Sequence, residues 1–357
     1  MPSNLNYDPK YMQVYSDGSK LYPPNLQNVI SVVMAASEEY LPYAAVTIHS
    51  MLRHGSTTYH YDLILLHQHP FSSRGMAILW QVVKEWDNCT LRLLQVSNME
   101  TCYVSGHVST ETYVRLMLPE LLPNYDKVLY LDSDLVVLKD ISNLWSQPVD
   151  DGVILAGVQD FDVIGQYYGT EFSMRYYIDH TLKLTCPEHY IQAGVLCFFL
   201  NAMRSQLDPD TLIRTAAGSK LRYFDQDILN AICHKKIALL DCRWNVVNDC
   251  DHYRVSHIIA QAPNNLFHSY MQSRQDPWII HYSGYRKPWD FPQEDLAAYF
   301  IKEVNLAHLE QYVYRQQSKS QKFSLGKKWL NYLLPRQSIR REFIKSIYFC
   351  IQYRLKK

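Results

Sequence analysis

An α/β fold with a mostly parallel central sheet flanked by helices is predicted by three observations. Apolar runs of strand length at 29–36, 61–66 and 91–96 alternate with helix-like stretches. A further buried run, 128–131, ends abruptly in Asp132 and Asp134. Later strand candidates also end in polar groups, 152–158 in Gln159-Asp160 and 278–284 in a segment carrying His281 and Gly284. Sheets of this kind bind ligands beyond the carboxyl ends of their strands, so the chain is delivering chemistry to one edge.

Residues 1–27 are rich in Asn, Tyr, Pro, Asp and Ser without periodicity, and read as an arm or irregular cover. The strand at 29–36 is followed by Ser37-Glu38-Glu39, an N-cap and acidic first turn for a helix through about Arg53. A helix around 76–86 separates the next two strands, and 112–121 reads as a helix carrying Arg115. After the paired aspartates, the aromatic segment 162–188 reads as loop-like and has no assignment. A buried strand at 190–200 follows, then a short helix from Phe224 with Asp225 and Asp227 in its first turn, where the helix dipole favours acids. A short strand at 237–240 ends in Asp241, and the His281 strand comes last.

The 357 residues, 47% of them hydrophobic, suffice for a sizeable core. Eight cysteines show no spacing of a zinc site or disulfide framework, and several lie in apolar runs as small hydrophobes. No amino-terminal segment has a signal-peptide pattern and no apolar run approaches the ~20 residues of a spanning helix, so a cytoplasmic location is expected. The charge is unevenly spread. From Arg315 onward twelve Lys or Arg face Glu342 alone, a net of +11, which leaves −11 on residues 1–314 of a neutral chain.

Side chains two apart on a strand share a face, so an extended path would aim Asp132 and Asp134 at one partner. Two carboxylates in a site with room for water and phosphate oxygens suit manganese or magnesium. A polar turn with two solvated aspartates is the alternative for a bare Asp-x-Asp; the apolar runs on both sides favour the metal. The dinucleotide Gly-x-Gly-x-x-Gly, the P-loop and Gly-x-Ser-x-Gly are absent, which removes the usual support for three enzyme classes. A haloacid-dehalogenase-type phosphatase shares the Asp-x-Asp pattern, but places it on a first strand, whereas three strand-helix units precede it here.

Six blocks stand in a fixed order: VMAASEEY at 33–40, TYVRL at 112–116, KVLYLDSD at 127–134, IQAGV at 191–195, DQDILN at 225–230 and HYSGYRKPW at 281–289. Together they resemble glycosyltransferase family 8, the retaining nucleotide-sugar transferases that include bacterial lipopolysaccharide galactosyl- and glucosyltransferases. The resemblance implies a GT-A fold over residues 28–314, preceded by the 1–27 arm and followed by a basic tail, 315–357. By position it implies that Asp132, Asp134 and His281 are metal ligands, with manganese preferred to magnesium because an imidazole is the third donor.

Gly284 and Lys287 match a diphosphate grip, and Ala35 and Tyr40 the uridine end of the site; Ser133, Arg115, Asp225 and Gln192 match donor contacts. Gln226 matches the side chain near the anomeric carbon, and Asp160 an acceptor contact. Ser37 and Glu39 depart from the usual Asp and Asn, and Gln192 from Asn, which leaves a nucleotide-sugar-binding protein without turnover as a third reading. An amide is a poor nucleophile, so front-face transfer fits Gln226 better than double displacement.

The expected function is transfer of glucose or galactose from a UDP-sugar to a cell-surface glycan or glycolipid precursor. In the tail, Ile339, Phe343, Ile347, Ile351 and Leu355 recur every four residues among Arg340, Arg341, Lys345 and Arg354. Such a helix lies on an anionic membrane surface, which places the enzyme peripherally on the inner face of the plasma membrane. Packing of the tail on the acidic body is the alternative; nucleic acid is disfavoured because no binding module accompanies the charge.

Overall fold

A computed structural model describes residues 7–97, 110–170, 172–208, 210–218 and 221–314. The tail therefore lies outside the described residues. The predicted strands other than the one carrying His281, joined by an unpredicted edge strand from the arm, form an eight-stranded sheet in the order β1-β4-β3-β2-β5-β8-β7-β9. These are β1 Met12–Tyr15, β2 Val29–Ala35, β3 His60–His67, β4 Cys89–Gln95, β5 Val128–Leu131, β7 Leu155–Gln159, β8 Ile191–Phe198 and β9 Ile237–Leu239. All neighbours pair in parallel except β8, which runs antiparallel to β5 and β7. A three-stranded sheet combines β6 Leu135–Val137, β10 Val246–Val247 and β11 Ile279–His281, with β11 antiparallel to β6.

From β2 the chain winds one way through β3 and β4, then returns to lay β5 against the other side of β2. The order reverses between β2 and β5, and the crevice at such a reversal is where open α/β sheets bind ligands. Ala35 and Asp132 stand at the ends of those two strands, whose register pairs Val33 with Tyr130.

The Leu41–His54 helix is buried along most of its length and joins the two sheets. Its Thr47 hydroxyl donates to the Leu135 carbonyl at 2.9 Å and accepts from the Leu135 amide at 3.1 Å, and Ser50 accepts from the Val137 amide at 2.9 Å. Two helix hydroxyls thus complete the edge of β6, whose backbone groups would otherwise be buried unpaired.

Several local expectations are corrected. Residues 12–15 of the arm form an edge strand on β4, because their alternate side chains reach the core through Met12. Ser37 does not cap the first helix. Tyr40 holds the N-cap position without a side-chain bond, and Pro42 stands second in the helix. The Glu38 carboxylate instead accepts from the Ser72 amide and hydroxyl at 2.9 and 2.6 Å, where the Ser73–Val83 helix starts. Arg115 rides on a 3-10 turn, Thr110–Met117, followed by a single α turn, Leu118–Leu121. The unassigned aromatic segment is mostly helical, with α-helices at Phe161–Tyr168 and Phe172–Tyr176 and a π-turn at Tyr177–Leu182 around their own small core. No helix among the described residues is long and apolar enough to cross a membrane.

Candidate active site

The apolar run through Asp132 and Asp134 is not one strand. β5 ends at Leu131, the chain bends over 132–134, and β6 starts in the other sheet. The bend keeps both carboxylates on one side and His281, arriving at the end of β11, meets them there. One ligand atom from each lies within 4.8 Å of the other two. His281 Nε2 is 3.3 Å from Asp134 Oδ1 and 3.8 Å from Asp132 Oδ2.

The other ring nitrogen of His281, Nδ1, meets Asn245 Oδ1 at 3.0 Å. An amide oxygen only accepts, so it fixes the proton on Nδ1 and presents Nε2 as a lone-pair donor. Asn245 is itself oriented by its amide's donation to Gln192 Oε1 at 2.7 Å. A side chain at Gly194 on β8 would place Cβ 2.3 Å from His281 Cε1 and 2.9 Å from Asp132 Oδ2, so the glycine provides the clearance the ring needs. Two carboxylates, an imidazole of fixed tautomer and a cleared ring position fit a divalent cation.

Two cations already attend the carboxylates. Lys287 Nζ lies 2.5 Å from Asp134 Oδ2 and donates to the Tyr282 carbonyl at 2.8 Å. Burial opposes ionisation of Asp134, but Lys287 overcomes it and holds the carboxyl well below its usual range. Arg115, almost wholly buried, donates from Nη2 to Asp132 at 2.8 Å, pairs through Nε with Asp225 at 3.0 Å and bonds the Ala193 carbonyl through Nη1. Burial pushes Asp225 up to about 7, against the pull of Arg115.

Gln226 is held from three sides. Its Oε1 accepts from the Ala193 amide at 3.0 Å, and its Nε2 donates to Asp160 at 2.8 Å and to the Tyr190 hydroxyl at 3.2 Å. Asp160 also caps the Phe161–Tyr168 helix through the Val163 amide at 3.0 Å, and burial raises its pKa. The neighbouring Asp227 is fully buried and accepts from Tyr177, Tyr190 and the Tyr223 amide at 2.7, 2.6 and 2.6 Å.

The remaining sequence-derived residues lie around this centre. Ser133 donates its hydroxyl to the Ala35 carbonyl at 2.7 Å, tying the tips of β5 and β2. Gly284, at φ 101°, takes a left-handed turn that favours glycine. Tyr40 stands at the margin and joins through an edge-on contact with Trp289, centroids 6.3 Å apart. Asn245, Gly194, Asp162 and Arg254 were absent from the sequence-derived set. A glycine inside an apolar strand was the available signal for Gly194; Asn245 carries no local signal.

Residues 31–292 match the profile of Glycosyl transferase family 8. Among curated relatives, General stress protein A of Bacillus subtilis is 26% identical over 194 residues, 52% of this chain and 61% of its own. Glycosyltransferase GlyA of Streptococcus pneumoniae is 27% identical over 278 residues, 77% of this chain and 34% of its own. The chain thus spans between 34% and 61% of the length of these relatives. Among solved structures, the WbbM bifunctional glycosyltransferase superposes with TM-score 0.72 at 25% identity, covering 84% of this chain and 53% of that one. The galactosyltransferase LgtC, in complex with donor and acceptor sugar analogs, gives 0.62 at 22% identity, over 78% of this chain and 95% of that one. The fold is that of the GT-A glycosyltransferases.

Proposed function

The chain belongs to glycosyl transferase family 8, and we propose that it moves glucose or galactose from a UDP-sugar to a cell-surface glycan or lipid-linked acceptor, with retention and manganese dependence. The observation that carries this reading is the Asp132, Asp134 and His281 cluster at the sheet's reversal point, with Lys287 beside it. A divalent cation bound there supplies neutralisation of charge on a departing diphosphate. Carboxylate and imidazole donors together favour manganese.

The chain's own residues orient and neutralise around that centre. Lys287 contributes a positive charge at the diphosphate end. Arg115 supports a neutral hexose, since its contacts with Asp132, Asp225 and Ala193 already satisfy the charge that a sugar carboxylate would need. Gln226 is an amide with committed bonds and Asp227 accepts three hydrogen bonds in a closed pocket, so neither is placed to form a glycosyl adduct. That supports front-face transfer, with departing UDP taking the acceptor proton. No observation favours the phosphatase reading, as Asp132 follows the fifth strand in chain order.

The test is UDP release from UDP-glucose and UDP-galactose with manganese, and NMR of the product's anomeric configuration. Asp134→Asn and His281→Ala suppress turnover far more than they shift melting; near-normal turnover of either at limiting manganese, or an inverted product, overturns the reading.

The reading extends to residues 28–314 as the catalytic unit and to the tail as a membrane contact. Basic residues interleaved with an apolar face support a cytoplasmic enzyme held peripherally on an anionic inner leaflet, at roughly 1 kcal/mol per basic residue. A chain ending at Ser320 loses binding to anionic liposomes and keeps UDP-sugar hydrolysis. Equal liposome binding by the two chains overturns the placement.

A further inference from the structure

A cleft of about 250 Å3 shares a wall with the carboxylate-imidazole cluster: Asn245, which orients His281, and Gln192, which bonds Asn245, both line it. Three more side-chain amides, Gln159, Gln166 and Gln226, bring its lining amides to five, and the rings of Tyr223, Tyr270 and Phe161 add flat apolar surface. Gln226 and Asn245 are committed to protein partners at both ends, whereas the bonds of Gln192 run through Oε1 and that of Gln159 through Nε2, so a donor and an acceptor face the cleft; with ring faces for C–H groups these suit a hydroxyl-rich ring.

The charge of the lining is one-sided. Its ionisable side chains are Asp160 and Asp162 with the tyrosines, and no Lys, Arg or His is among them. The nearby guanidinium of Arg254 is turned to the protein: Nε lies 2.9 Å from Asp162, Nη1 donates to the Asn248 carbonyl at 2.7 Å and Nη2 to the Ser283 carbonyl at 3.2 Å. Asp162 lines the cleft with its Oδ1 buried and without a hydrogen-bond partner.

Resting on the transferase reading above, we propose that this cleft seats the acceptor sugar and selects an uncharged, hydroxyl-rich ring over uronic acids and other anionic sugars. Hydroxyls satisfy the two carboxylates by donation. A ligand carboxylate meets like charge with no lining cation to offset it, and the low-dielectric walls strengthen the repulsion.

The experiment is saturation-transfer NMR titration of the full chain, in manganese and UDP, with methyl galactoside against methyl galacturonoside and methyl glucoside against methyl glucuronoside. Each pair differs only at C6. At least one neutral glycoside binds, and its uronide binds roughly tenfold or more weakly. Gln166→Lys, which adds an ammonium to the half-buried lining, narrows that ratio several-fold; its melting temperature establishes that it folds. Binding of the uronide as tight as its neutral partner overturns the inference, as does absence of binding by both neutral glycosides or an unchanged ratio in folded Gln166→Lys. UDP release without acceptor, followed in the same samples, reads the proposed function separately: neutral preference with no UDP release supports the cleft assignment and counts against the transferase.

Discussion

Gly194→Ala isolates the architecture of the proposed metal site from the chemistry of its ligands. The glycine sits in β8 with ordinary backbone angles, so alanine brings no backbone strain. What it brings is a methyl carbon 2.3 Å from His281 Cε1, 2.7 Å from its Nδ1 and 2.9 Å from Asp132 Oδ2, where ordinary contact begins at 3.4 Å. The ring must retreat by about 1 Å, a displacement that breaks the Asn245 bond or pulls Nε2 from the carboxylates. Overpacking of this size destabilises by roughly 1–3 kcal/mol, and a 1 Å misplacement of a reacting group costs about 100-fold in rate. The assay is calorimetric manganese titration in the presence of UDP, with turnover and thermal melting on the same sample. Gly157→Ala serves as the control, because its methyl group meets the Ile191 and Leu196 side chains and no ligand. It is expected to lower stability while keeping manganese affinity. If Gly194→Ala binds manganese and turns over within about threefold of the parent, the packing argument is refuted.

Three further outcomes follow from the same contacts. Asn245→Ala removes the acceptor that fixes the His281 tautomer and lowers manganese affinity about 10–100-fold with little change in melting, read by the same titration. Asp227→Ala strands the Tyr177 and Tyr190 hydroxyls and costs roughly 2–5 kcal/mol in urea unfolding, whereas a catalytic carboxylate on the surface of the site would leave stability nearly unchanged. Asp62 is fully buried beside Arg92 and Tyr125, and burial pushes its carboxyl from 3.8 to about 6. Its folded pKa is raised, so the unfolded chain ionises first and stability falls as pH rises from about 4 to about 6, by an amount on the order of 1 kcal/mol per unit. Asp62→Asn should remove that slope from the denaturation midpoint measured across the window; an identical slope in the variant shows that Asp62 does not cause it.

The apolar strands of the large sheet were legible because each is a continuous run buried on both faces, as at 61–66 and 191–198. The cluster of Asp132, Asp134 and His281 was reached through the order of the six blocks, which carries spatial information that spacing alone lacks. The small sheet was hidden. Residues 128–137 look like one strand with polar residues in the middle, and the bend at Ser133 exists because Leu135–Val137 finds its partner at Ile279–His281. Glu38 misled for a related reason: its local pattern fits the acidic first turn of the following helix, yet its carboxylate is engaged by Ser72. Asn245 belongs to the same class, since its contact with His281 crosses between a 3-10 turn and a strand.

The seating of the centre across two sheets also sets a timetable for the chain during synthesis. Translation releases β2, β5 and the paired aspartates early, and folding proceeds from the amino-terminal side. At that stage β6 lacks β11, and Asn245, His281 and Lys287 are still to come. A nascent or prematurely terminated product therefore holds the acidic pair without the imidazole and the ammonium that complete the cluster. The last strand described, β11, acts as a completion signal for the cluster.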